Sequence, residues 1–274
     1  MDSSNQYEPW QLELINDPRS TAELINLALA AADDDELWDI VPILHYRPTR
    51  EVLEATQGLC RSVCPQEREL GAHLLAQLGV PERAFPRECV TTLLGMLRGN
   101  DESRVLSAAL SALGHNMDER IVPAAVRFKT HMDPDVRYAV VQAVTGYDDP
   151  LAIATLIELA RDADAEVRDW ATFGIGQQSS LDTPKIRAAL WDRVADEDND
   201  VRGEALRGLA SRGDRRVLVP LLAELRSLDV SYLAVEAAEL IADPSLYPAL
   251  VELESWWDEN PYQLREALDR CRLA

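Results

Sequence analysis

Few of the usual markers of chemistry or of export occur in this chain of 274 residues. Its four cysteines, Cys60, Cys64, Cys89 and Cys271, are too few and too scattered for a disulfide framework. Cys60 and Cys64, with His73 nearby, place two thiols on one helical face, but zinc sites add a second tight ligand pair and none follows. Buried, inert thiols are the ordinary reading. The four histidines, His45, His73, His115 and His131, are dispersed. Gly-rich phosphate loops, Gly-x-Ser-x-Gly elbows and His-Glu-x-x-His are all missing, which removes the commonest nucleotide, hydrolase and zinc-protease signatures. No cofactor and no metal are expected. No apolar run approaches the roughly 18 residues that span a bilayer. The opening MDSSNQYEPWQLEL lacks the basic and apolar regions of a signal peptide. A cytoplasmic, reducing compartment is therefore the expectation.

Positive charge is also scarce. Lys and Arg number 27 against 48 Asp and Glu, a net charge of −21. Affinity for phosphates comes largely from Lys and Arg, so nucleic acid is excluded as the expected ligand, and anionic membranes with it. The acidic balance favours solubility, a monomer when free, and attraction to basic proteins. With 47% hydrophobic residues spread along the chain, it is not a disordered acidic tail.

What the chain has in abundance is repetition. Five windows share one grammar: Cys64–Arg68 (CPQER), Asn100–Arg104 (NDESR), Asp133–Arg137 (DPDVR), Asp164–Arg168 (DAEVR) and Asp198–Arg202 (DNDVR). Their starts lie 36, 33, 31 and 34 residues apart. A period a little above thirty marks stacked helix pairs. In the Asp133 window, Asp133 suits an N-cap, Pro134 suits the first helical position and Asp135 complements the helix dipole. Ala139, Val140, Ala143 and Val144 form a narrow apolar stripe at helical spacing, and Gly146 is placed to stop the helix. The same grammar is expected over Asp164–Gly176 and Asp198–Ala210. A further copy begins at Asp229, with Leu233 in the arginine position.

A second signal alternates with the first. Asp118, Asp149, Asp182, Asp214 and Asp243 each lead an apolar run, at separations of 31, 33, 32 and 29. Each run reads as the first helix of a pair whose second helix opens at the arginine window. Pro123, Pro220 and Pro248 fall about one turn inside, where proline kinks a helix.

This alternation resembles HEAT repeats, in particular the short variety of phycobilisome-lyase-like HEAT proteins. The likeness runs over about Arg50–Val251 and is sharpest over Met117–Ala210. The resemblance implies an all-α fold, a right-handed α-solenoid of about seven to eight stacked HEAT-like helix pairs. One solenoid over 1–274 is expected, with a degenerate unit at 1–49, core repeats at 50–251 and a capping helix pair at 252–274. Thr21–Ala32 and Glu36–His45 are the expected opening helices, with Asp33–Glu36 capping the second. In such repeats the window arginine bonds acidic groups of the adjacent repeat, so Arg68, Arg104, Arg137, Arg168 and Arg202 are read as a structural ladder.

The resemblance also sets enzymatic alternatives. HEAT-fold di-iron hydroxylases use His-Glu pairs, and no histidine here has a neighbouring Glu. HEAT-like DNA glycosylases need a basic face with an aromatic beside a catalytic Asp. Asp169-Trp170 offers the pair, but Asp196, Glu197, Asp198 and Asp200 oppose DNA. Bilin lyases share the repeat, yet no bilin pocket is legible. The chain is read as a non-enzyme.

In HEAT solenoids the second helices line the concave face. Outward positions follow each ladder arginine by one and about five residues. They are Glu69 and His73, Tyr138 and Gln142, Asp169 and Phe173, and Gly203 and Arg207, with Trp170 beside them. Tyr138, Gln142, Asp169, Trp170, Phe173 and Arg207 are the candidate binding residues: aromatic anchors in an acidic surround, the usual anatomy of a protein interface. For Trp170 and Phe173 packing between repeats is the alternative, and Trp256-Trp257 either closes the last core or anchors a partner. The expected function is protein binding through an acidic concave face. It takes the form of an immunity-like inhibitor of a basic partner, or alternatively of a generic scaffold or assembly factor.

Overall fold

The computed structural model describes residues 8–99, 102–257 and 260–273. Asn100, which opens one arginine window, lies outside them, as do residues 1–7 of the opening unit and 258, 259 and 274 of the expected cap. Every regular element among the described residues is helical.

Two compact units divide the chain, residues 1–143 and 144–274. The first holds α1 (Pro9–Ile15), α2 (Thr21–Ala30), α3 (Asp34–His45), α4 (Arg50–Cys60), α5 (Pro65–Ala76), α6 (Pro86–Met96), α7 (Ser103–Gly114), α8 (Ile121–Ala125) and α9 (Pro134–Val144), whose last residue opens the second unit. The second holds α10 (Pro150–Leu159), α11 (Ala165–Phe173), α12 (Pro184–Trp191), α13 (Asn199–Ser211), α14 (Leu218–Glu224), α15 (Tyr232–Ile241), α16 (Tyr247–Leu253) and α17 (Pro261–Leu273). Within each unit the helices stack in chain order as in an α-solenoid: α5 packs on α4 and α7, and α13 on α11 and α15.

Local chemistry sets the starts. Asp149 Oδ1 accepts from the backbone N–H of Leu151 and Ala152, and Asp198 Oδ1 from Asp200 and Val201. Asp164 Oδ1 accepts from Val167 N–H, and Asp33 Oδ1 from Glu36 N–H, starting α3 at Asp34, earlier than Glu36. Two leading aspartates behave differently. Asp182 is not the cap of α12: Thr183 accepts from Ile186 N–H, and Asp182 binds Arg187. Asp118 pairs with Arg120, one residue before α8.

The stripe residues Ala139, Val140, Ala143 and Val144 are fully buried, as is Val136 one turn earlier. Gly146 has φ of +87°, a left-handed conformation that ends α9 soon after Val144. Gly176 does not end its helix. The chain passes from α11 into a π-helical turn over Gly174–Gln178. There a Cβ on Gly208 of α13 would lie 2.9 Å from Gly176 Cα, so the approach of the two backbones leaves no room for a side chain on Gly208. Beyond Leu253 the described residues form one helix, α17, and it packs on α15 and α16. Trp257 is buried while Trp256 is half-exposed, so the two indoles divide the roles of core and surface.

Candidate functional site

The ladder arginines share a geometry that begins locally. Arg68 Nη1 donates to the carbonyls of Ser62 and Val63, at 3.0 Å each. Arg137 Nη1 reaches His131 and Met132 at 2.8 and 3.1 Å. Arg168 reaches Asp162 and Ala163 at 3.0 and 3.1 Å, and Arg202 reaches Asp196 and Glu197 at 3.0 and 3.2 Å. Each guanidinium clamps the loop that precedes its own helix. Arg168 and Arg202 also reach forward to an acid, Asp196 at 3.0 Å and Glu224 at 3.2 Å.

Arg104 breaks the pattern. Its helix begins one residue before it, at Ser103, whereas the other four begin three residues before their arginine. The side chain is 82% exposed and pairs backward with Glu69 at 3.0 Å. It belongs to the surface rather than to the clamp.

In the first unit the second helices present a polar, self-paired face. Tyr138 and Gln142 are half-buried, and Gln142 donates to the Tyr138 hydroxyl at 3.2 Å while accepting from Ser111 at 2.6 Å. The Trp38 indole meets the His73 ring edge-on at 5.3 Å. Glu69, His73 and Arg104 line a cavity of about 410 Å³ together with Trp38, Asp34 and Gln66. Burial holds His73 below its ordinary pKa, against the opposing pull of Glu69 and Asp34.

In the second unit the corresponding face is charged and partly closed. Trp170 is 38% exposed and packs edge-on against half-buried Phe173, with centroids 5.6 Å apart. Asp169 is half-buried, and its Oδ1 lies buried without a hydrogen-bond donor. Burial first, and then the charges of Asp200, Asp198 and Glu166, push its carboxyl up to about 6. Arg207 donates through Nε to Glu236 at 2.5 Å. Gly203, expected outward, is instead buried where α13 meets α15. A Cβ there would come within 2.9 Å of Leu233, which explains why the arginine position of the Asp229 copy is apolar.

The sequence reading missed Glu204. It sits between Gly203 and Ala205 on α13 and is only 7% exposed. Its Oε2 accepts from the Gln177 amide of the π-helical turn. Burial, with Asp169 and Glu236 adding to it, pushes its carboxyl up to about 7 against the opposing effects of Gln177 and Arg207. A glutamate two residues after a ladder arginine was the available signal, but helical periodicity alone places it toward the core, where a charge is not expected.

Among the described residues no three His, Cys, Asp or Glu converge as metal ligands. Cys60, Cys89 and Cys271 are buried, with burial pushing Cys60 up to about 12, so these thiols are poor nucleophiles. No described helix is long and apolar enough to cross a membrane.

Comparison with known proteins agrees with this architecture. The chain matches the family described as HEAT repeats over residues 90–176, 121–210 and 153–242, together more than half its length. It is 27% identical to protein YibA of Escherichia coli strain K12 over 259 residues, covering 88% of this chain and 91% of that protein. The crystal structure of E. coli YibA superposes with a TM-score of 0.75 at 23% identity, covering 100% of this chain and 99% of that one. Kap95p, solved in complex with RanGDP, gives 0.55 at 16% identity, over 95% of this chain and 40% of that one. At these identities the solved structures show likeness of fold.

Proposed function

The chain belongs to the HEAT-repeat family, and from that premise we propose that it is a non-enzymatic module that binds another protein through the exposed faces of its second helices. The partner is a basic protein, and the module acts as a cytoplasmic, immunity-like inhibitor that masks it. In this reading the repeats are of the short, phycobilisome-lyase-like kind, and the free protein is a monomer.

The observation that carries the reading is the second-helix face of the second unit. There exposed Trp170 adjoins carboxylates that the protein's own cations leave uncompensated. An aromatic anchor beside under-neutralised acids suits a partner that brings the missing positive charge. The net charge of −21 extends that attraction beyond contact range. Kap95p, of similar fold, was solved with a protein bound, which makes protein recognition a natural use of such a scaffold.

The test is a pull-down with tagged full-length chain from its native host, washed at low and then high salt, with mass-spectrometric identification. The identified protein is then titrated in purified form. One basic protein that leaves at high salt and returns unmodified is the expected result. A neutral partner retained in high salt overturns the inhibitor reading in favour of a scaffold, for which the self-paired face of the first unit is suited.

A further inference from the structure

The second unit places two acids where the fold itself has no use for their charge. Glu204 is 7% exposed, and its single hydrogen bond comes from the neutral amide of Gln177. The nearest candidate cation, Arg207, is committed to Glu236. Asp169, on the preceding second helix, keeps Oδ1 buried and unpaired. The two carboxylates repel each other, and Asp200 and Glu236 add to the same field. Tyr232, 48% exposed on α15, lies in the field of Glu204, Glu236 and Asp200. A structural ion pair would include its own arginine, as Arg168 does with Asp196. Among the described residues this cluster has no ion-pair partner of its own.

We propose that Asp169 and Glu204, with Tyr232 beside them, form a socket for one arginine or lysine side chain of a protein partner. The proposal rests on the protein-binding reading and names the group that is recognised. An arriving guanidinium supplies N–H donors to the unpaired Asp169 oxygen and to Glu204, in charge-assisted bonds of the strong kind. An ammonium does the same as a point charge. A phosphate or carboxylate ligand would meet repulsion from four acids, and a metal ion would need converging ligands that the described residues do not provide.

The socket has a proton signature. The groups facing Glu204 are Asp169 from α11, Gln177 from the π-helical turn, Tyr232 and Glu236 from α15, and Asp200 and Arg207 on its own helix. With carboxyls titrating near 6 and 7, both acids are partly protonated at mildly acidic pH. A bound cation favours their ionised forms and so expels protons.

The experiment is calorimetric titration of the full chain with a short Gly-Arg-Gly-Arg-Gly peptide, its lysine counterpart and its citrulline counterpart. Each is run at about pH 6.5 and 8.5 in buffers of differing ionisation enthalpy, which read proton release. Arginine and lysine peptides should bind and release protons at the lower pH only, and citrulline should do neither. Asp169→Asn with Glu204→Gln should weaken binding by about 10-fold or more and abolish proton release. Glu13→Gln with Glu54→Gln, the same charge change at exposed positions of the other unit, should alter affinity by less than about 2-fold. Glu204→Gln alone keeps the side-chain shape and guards against misfolding, with thermal unfolding as the check. Equal binding by the two double variants, or binding without proton release, overturns the socket. If a partner caught from the host binds the socket variant undiminished, the socket is wrong while the protein-binding reading stands. If no partner is caught but the peptide binds with proton release, the socket stands and the inhibitor reading falls.

Discussion

The two units use the same repeat grammar to carry opposite electrostatics. On the second helices of the first unit, Glu69 is matched by Arg104, and Tyr138, Gln142 and Ser111 satisfy one another. On those of the second unit, Asp169 is half-buried with one oxygen unpaired and Glu204 is buried, neither in an ion pair among the described residues, and Trp170 is exposed. Helix starts, clamps and apolar stripes recur because stacking demands them. The outward positions carry no such demand, so they are where the units differ.

The sharpest way to break this contrast is at the ladder. Arg168→Ala removes one of the two guanidinium partners of buried Asp196, leaving Arg193 at 2.8 Å, and frees two loop carbonyls, and should cost about 2–3 kcal/mol by urea unfolding. Arg104→Ala, at an exposed surface pair, should change stability by less than about 1 kcal/mol. Comparable losses at both sites would show that Arg104 clamps as the others do.

Next in size is Glu204→Gln. A carboxyl raised from 4.5 to about 7 binds its proton more tightly in the folded state. The folded protein is therefore favoured at low pH and loses that advantage as pH rises from about 4.5 to about 7. Replacing the acid by an amide should stabilise the protein at pH 8 by roughly 2–3 kcal/mol and flatten stability against pH over that window. Glu69→Gln in the first unit should show no such gain. A pH profile unchanged by Glu204→Gln would mean that its charge is compensated after all.

Gly208→Ala should cost about 1–3 kcal/mol, because its Cβ would strike the Gly176 backbone at 2.9 Å. Gly58→Ala and Gly95→Ala, exposed within first-unit helices with nothing within 4 Å, should instead stabilise by about 0.5–1 kcal/mol. Thermal unfolding distinguishes the signs. Asp149→Ala removes one N-cap and should cost about 1 kcal/mol. A value near zero would mean that solvent replaces the cap at that helix start.

The fold was largely legible because its signals are local. Asp149, Asp164 and Asp198 cap the helices that their positions promised, and Gly146 takes the left-handed turn that stops α9. Reading failed where a neighbouring repeat decides. Gly203 looked outward by spacing, yet Leu233 of the next copy covers it. Gly176 looked like a stop, yet the approach of Gly208 carries the chain through as a π-helical turn. Arg212 gave no signal at all. Its guanidinium donates to the carbonyls of Ile175, Gly176, Ser179, Leu181 and Gly208, and so closes the end of that turn.

By itself the sequence determined the helical class, the alternation of first and second helices and the caps at Asp149, Asp164 and Asp198, since each follows from contacts within a few residues or from one repeated period. Only the tertiary structure decided which acids lost their water and which found a cation. Glu204 and Asp169 differ from the many other acids of this chain not in residue type but in what the adjacent helices bring beside them, and desolvation is a property of those neighbours.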